Sequence, residues 1–237
     1  MRFRAIVFLF LSVPLLAQET LPGTSPLTMT GDLAVAMVNG IHRFLDRETA
    51  AAPQNRGRFW HRDYSSPGAY EKSVAMNRER LRTIIGAVDT RVHFDAVSLI
   101  ADTNAGSVIA KGPGYQIRAV RWPVFDGVSM EGLLLEPEGT PIARVVAVPD
   151  ADWSPEMLAG VAPGLSPSAQ FARRLVENGC LVLIPTIIDR KDTWSGIPSI
   201  RMTNQPHREW IYRMAFETGR QIAGYEVQAV LAAVDWF

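Results

Sequence analysis

A hairpin followed by two unalternated apolar runs constrains this chain more than any other feature. Residues 115–124 and 128–136 read as strands on either side of Asp126-Gly127, and an Asp-Gly pair between such runs is a strong signal for a tight β-turn. Residues 145–148, "VVAV", and 180–185, "CLVLIP", do not alternate, which marks strands buried on both faces. Between them Ser166-Pro167 supply a cap and a first helical position, and "SAQFARRLVENG" carries Phe171, Leu175 and Val176 on one side before Gly179. Strand, helix and strand in that order predict an α/β fold, a β-hairpin leading into a mostly parallel sheet covered by helices. From Asn204 and Pro206 onward, Ile211, Met214, Ala215, Thr218 and Ile222 share a stripe that Val227, Val230, Leu231 and Val234 continue. This predicts one long helix bent at Gly224, leading toward a further parallel strand that the sequence does not contain.

The opening twenty residues have a different character. Arg2 and Arg4 precede an apolar run from Ala5 to Leu16 and a small residue, Ala17, the pattern of a signal peptide over 1–17 with a mature terminus at Gln18. The run is shorter than the ~20 residues a membrane helix needs, so no membrane association is expected after cleavage. Cys180 is the single cysteine, so no internal disulfide is expected in a secreted or periplasmic chain, and its place in an apolar run makes it a small core residue. With 24 basic and 24 acidic residues among 237, nothing attracts nucleic acid.

Residues 18–114 read as a helical extension. One helix is expected over about 31–52, with Leu33, Met37, Ile41, Phe44 and Leu45 on a stripe, and a second through "GAYEKSVAMNRERLRTIIG", stopping at Gly86. Residues 115–237 would form the core.

The segments "RAVRWPVFDGVSMEGLLLEPEG", "VVAVPDADWSPE", "SAQFARRLVENGCLVLIPTIIDRKDTWSG" and "NQPHREWIYRMAFETGRQIAGYEVQAVLAAVDWF" resemble, in order, the amino-terminal half of an α/β-hydrolase of the bacterial dienelactone hydrolase and acetyl xylan esterase type. The earlier "RDYSSPGAYEKSVAMNRERLRTIIG" is similar to the helical region before the core in exported members. The resemblance implies that strand 180–185 lies between the hairpin and 145–148, and that a Gly-x-Ser-x-Gly turn, an acid and a histidine follow further along the chain. None of that triad is expected within these residues. Ser195 is flanked by Thr193 and Ile197, where the turn needs small residues, and Ser166 is followed by Pro167, which has no N–H to offer an oxyanion.

In doubly wound sheets the chemistry sits beyond the carboxyl ends of the strands. There the resemblance makes Ala151 or Asp152 the candidate backbone donor to an oxyanion, with Asp150, Asp189, Arg190 and His207 along the same edge. Two readings stay open for each. The aspartates 150 and 152 either border an oxyanion site or simply end a strand in a turn, and Asp189, Arg190 and His207 either contact substrate or form a turn ion pair and a helix start. His42, His61 and His93 fall in the helical extension and its loops and read as structural or solvated. No histidine or cysteine pair has metal-ligand spacing and no glycine triad cradles a phosphate, so neither metal nor cofactor is expected. The resemblance implies an exported serine carboxylic ester hydrolase acting on a small-molecule or carbohydrate ester, with this chain inactive alone. A secreted binding or scaffold protein and a peptidase of the same fold are the alternatives.

Overall fold

The computed structural model describes residues 21–101, 106–193, 199 and 205–237, so the expected signal peptide, Ser195 and Asn204 lie outside the described residues. The chain divides into two units, residues 1–60 and 61–237. In the first, α1 (Leu33–Asn55) starts where Asp32 accepts from the N–H groups of Ala34 and Val35, satisfying donors that a helix start leaves open. The expected stripe Leu33, Met37, Ile41, Phe44 and Leu45 is present, but each residue is exposed and no α1 residue is buried.

The second unit opens with α2 (Pro67–Ile84), capped by Ser66 and stopped by Gly86 at a φ of +69°. Its strands are β1 (Ser98–Leu99), β2 (Val108–Gly112), β3 (Tyr115–Phe125), β4 (Val128–Pro137), β5 (Ala143–Val146) and β6 (Cys180–Pro185). The sheet order is β1-β3-β4-β6-β5, with β2 also paired to β3, so β6 does lie between the hairpin and β5. The sheet is mixed: β5 and β6 run parallel, and the other described pairs are antiparallel. The sheet also begins earlier than residue 115, because β1 and β2 come from the stretch expected to be helical. β1 has only two residues, and in β2 the burial alternates but the apolar Ile109 lies on the exposed face, so neither shows the alternation in sequence; pairing with β3 holds both in place.

Side-chain alternation builds a core on each face of this sheet. Ile117, Leu133, Leu135, Val182 and Ile184 pack under α3 (Pro155–Ala159) and α4 (Phe171–Glu177) through Leu158, Ala172 and Val176. Val120, Trp122, Val124, Leu134 and Leu183 take the opposite face, against Ala229, Ala232 and Ala233 of α6 (Ile222–Trp236). Burial of each large aliphatic side chain is worth ~1.5–3 kcal/mol. Cys180 is buried in the first core, as its apolar setting predicts.

Several local expectations are corrected. Residues 145–148 are not buried on both faces: Val145 and Val146 are half-buried and Val148 is 48% exposed, because β5 pairs with β6 alone among the described strands. Ser166-Pro167 do not start a helix, since α4 begins only at Phe171 and the Ser166 hydroxyl pairs with that of Ser168 at 2.9 Å. A short helix, α3, had no expectation behind it, although Ser154-Pro155 is itself a cap and first-turn pair. The final helix is two: α5 (His207–Phe216) ends in turns in which the Thr218 N–H and the Arg220 N–H donate to the Ala215 carbonyl, and α6 begins anew after Gln221. Gly224 therefore does not mark a bend. It lies in the first turn of α6, where a Cβ would come within 2.3 Å of the Ile85 carbonyl oxygen and 2.6 Å of the Gly86 carbonyl carbon. Only glycine lets the start of α6 approach the end of α2 this closely.

Candidate functional site

Beyond the carboxyl ends of the parallel strands β5 and β6, two loops meet. The first is a turn closed by the Trp153 N–H donating to the Asp150 carbonyl at 3.0 Å, with Ala151 and Asp152 at its centre. Inside it the Asp152 N–H donates to Asp150 Oδ1 at 3.2 Å, the side-chain-to-backbone bond that aspartate favours in turns. The second loop brings Arg190, whose Nη1 donates to Asp150 Oδ1 at 3.2 Å and to Asp152 Oδ2 at 2.6 Å. Four of the expected residues, Asp150, Ala151, Asp152 and Arg190, are thus gathered into one cluster.

Asp189 and His207 form a second cluster beside it. Nδ1 of His207 lies 2.7 Å from Asp189 Oδ1, which also accepts from the Lys191 N–H at 3.1 Å, and the His207 N–H donates to the Lys191 carbonyl at 2.7 Å. A carboxylate on Nδ1 fixes the orientation of an imidazole ring. The pair also joins the strand-end loop to the first turn of α5, the ion pair and helix start that one of the two readings expects.

The carboxylates are electrostatically distinct. The Asp152 N–H, then the Arg190 guanidinium, hold the Asp150 carboxyl below the usual carboxylate range, with a smaller contribution from the Ala151 N–H. Burial pushes the Asp189 carboxyl upward, but the Lys191 N–H and His207 together outweigh it and the net shift is downward. The Asp152 and Asp150 carboxylates hold the Arg190 guanidinium above its ordinary range, so it remains a cation.

A cavity of about 500 Å³ lies against this cluster, lined by Val148, Asp150, Ala151, Arg190 and, from α6, Val227 and Val230. Ala151 also lines a second cavity of about 360 Å³, with Asp152, Trp153 and Asp189. At the rim, Arg208 makes a paired contact with Glu226, Nη1 to Oε1 and Nη2 to Oε2, the second at 3.1 Å, and its Nη1 reaches the Ile188 carbonyl at 2.8 Å. Arg208 and Glu226 are cavity residues that the sequence does not single out, because they stand 18 positions apart on different helices. His42 and His93 are exposed and pair with Asp46 and Asp95 at 3.3 Å each. Among the described residues no group of three or more His, Cys, Asp or Glu side chains could hold a metal ion, and no helix is long and apolar enough to cross a membrane.

No protein-family model matches the chain, and no curated protein does. Among solved structures the chain is similar to a protein of Bacteroides fragilis NCTC 9343 that is provisionally named an acetyl xylan esterase, at 19% sequence identity and a TM-score of 0.49. The match covers 75% of this chain and 45% of that one, so the chain spans less than half the length of the protein it matches.

Proposed function

We propose that residues 115–237 form the oxyanion-side portion of an exported carboxylic ester hydrolase of the acetyl xylan esterase-like type. The observation that carries this reading is the meeting of the 150–152 turn and Arg190 at the carboxyl ends of two parallel strands, beside a cavity of about 500 Å³. That edge is where open α/β sheets place their chemistry. The reaction is acyl transfer. A serine hydroxyl attacks the ester carbonyl while a histidine takes its proton, backbone N–H groups hold the oxyanion, and the alcohol leaves with that proton. Water then releases the acid from the acyl-serine. Of these parts the chain supplies a donor loop, with Ala151 or Asp152 as donor, and no serine in its sequence stands in a Gly-x-Ser-x-Gly turn. A small-molecule or carbohydrate ester is the substrate class.

Three measurements test the reading. Residues 18–237, purified, should hydrolyse p-nitrophenyl acetate no faster than background; turnover lost on Ser166→Ala or Ser195→Ala would place a nucleophile in this chain and overturn the assignment. The DNA frame following the codon for Phe237 should encode a strand and a Gly-x-Ser-x-Gly turn, and its product should take a fluorophosphonate label at that serine. Mass spectrometry of exported material should find a mature terminus near Gln18, and an intact Met1 would argue against cleavage.

A further inference from the structure

We propose that Arg190 is a positioning residue for the oxyanion loop: it holds the Asp150 and Asp152 carboxylates so that Ala151, and not Asp152, presents the backbone donor. The inference rests on the ester-hydrolase reading of the site. It starts from one carboxylate oxygen shared by two donors. Asp150 Oδ1 accepts from both the Asp152 N–H and Arg190 Nη1, each at 3.2 Å, so the Asp152 donor is already occupied inside the turn. Of the two candidate donors, Ala151 is the one that lines the cavity of about 500 Å³ as well as that of about 360 Å³, whereas Asp152 lines only the smaller.

Charge supplies the second argument. Two carboxylates within one turn would repel a developing oxyanion beside them and lower the efficiency of any N–H donor there. Arg190 sets one cation between the two, and the same nitrogen, Nη1, binds both. Stability does not explain the arrangement. The side chains of Arg190, Asp150 and Asp152 are 53%, 53% and 57% exposed, and ion pairs this open to water contribute little to folding. What the contacts determine is where the Asp150 carboxylate sits and which amide it occupies.

The test compares the full 237-residue chain with Arg190→Gln and Arg190→Lys, by thermal melting and by NMR of the loop amides and the Asp150 carboxyl through an acid titration. In Arg190→Gln the melting temperature should stay within about 3 °C of wild type, as for an exposed ion pair. The Asp150 carboxyl should titrate at higher pH, the Ala151 amide resonance should follow that titration more strongly than in the wild type, and protection of the Asp152 amide from exchange should fall by about fivefold, as for loss of a supporting hydrogen bond. Arg190→Lys should restore all three, because one nitrogen makes both bonds in the wild type. Unchanged loop amides in Arg190→Gln would reduce Arg190 to a surface ion pair, and a lysine variant that behaves like the glutamine one would remove charge as the cause; either result overturns the proposal. None of these readouts needs ester turnover, so a failed search for a nucleophile leaves them interpretable and bears on the enzymatic reading alone.

Discussion

Arg220 grips Asp89 through two parallel hydrogen bonds, Nε to Oδ2 at 2.9 Å and Nη2 to Oδ1 at 2.6 Å. The pair fastens the segment after α2 to the corner between α5 and α6, directly beside the close approach of Gly86 and Gly224. Arg220 also caps its own corner by donating to the Thr218 carbonyl at 3.0 Å.

Asp89 should therefore shape the acid stability of this unit. Its side chain is 20% exposed, and the Arg220 hydrogen bonds hold its carboxyl below the ordinary value. A carboxyl whose folded pKa is depressed contributes stability above its unfolded pKa and loses it as pH falls through the folded value. Asp89→Asn should cost about 1 kcal/mol near neutral pH and nothing in strong acid. Urea melts of both chains at about pH 7 and about pH 3 should show the gap narrowing as the pH falls toward the depressed folded value; a gap of constant size would assign the loss to packing.

At the neighbouring glycine contact two opposing effects can be weighed. Alanine is favoured over glycine inside a helix by ~1 kcal/mol, yet a Cβ at residue 224 would lie 2.3 Å from the Ile85 carbonyl oxygen, and that atom belongs to backbone that cannot swing aside. Gly224→Ala should destabilise the unit by a net ~1–3 kcal/mol, as overpacking does. At Gly40 in α1 an added methyl group would meet nothing within 4 Å, so Gly40→Ala should instead raise helix content by circular dichroism. Equal responses at the two sites would refute the steric account.

Gln228 of α6 is 1% exposed, and neither its Nε2 nor its Oε1 has a hydrogen-bond partner among the described residues. An unsatisfied buried amide is costly, whereas methionine has a similar shape and no such demand. Gln228→Met should stabilise the chain by ~1–2 kcal/mol, read as a higher melting temperature. A lower one would mean that the amide is satisfied in solution, for instance by an internal water.

The outer edge of β5 carries a further expectation. Val145 and Val146 are half-buried, Val148 is exposed, and past the exposed Arg144 no charge or proline interrupts residues 145–148 to discourage another strand. Beside them on α6, Val227, Leu231 and Val234 are exposed. Residues 18–237 should self-associate with rising concentration in size-exclusion chromatography, and Val148→Lys should suppress this. A monomer at every concentration would show the edge to be protected.

Periodicity and turn chemistry are local properties, and they made most elements legible in the sequence alone. The placing of β6 beside the hairpin comes only from the resemblance, whereas the Asp126-Gly127 hairpin, the α/β class, the α2 stop at Gly86 and the burial of Cys180 follow from patterns within a few residues or from the order of the segments. So does the position of Asp150, Ala151, Asp152, Asp189 and Arg190 at one sheet edge, since they follow parallel neighbours. What needed tertiary structure was every pairing over distance: Arg190 with two aspartates 38 and 40 residues away, Arg208 with Glu226, and Asp89 with Arg220 across 131. The same holds for the split of the last helix, the role of Gly224 and the buried face of α6: Met214, Val227, Leu231 and Val234 of the expected stripe are exposed, and α6 buries Gln228, Ala229, Ala232 and Ala233 instead. A side-chain pattern reports which face is apolar, but only the packed chain decides which backbone comes close enough to demand a glycine and which charges end up sharing a nitrogen.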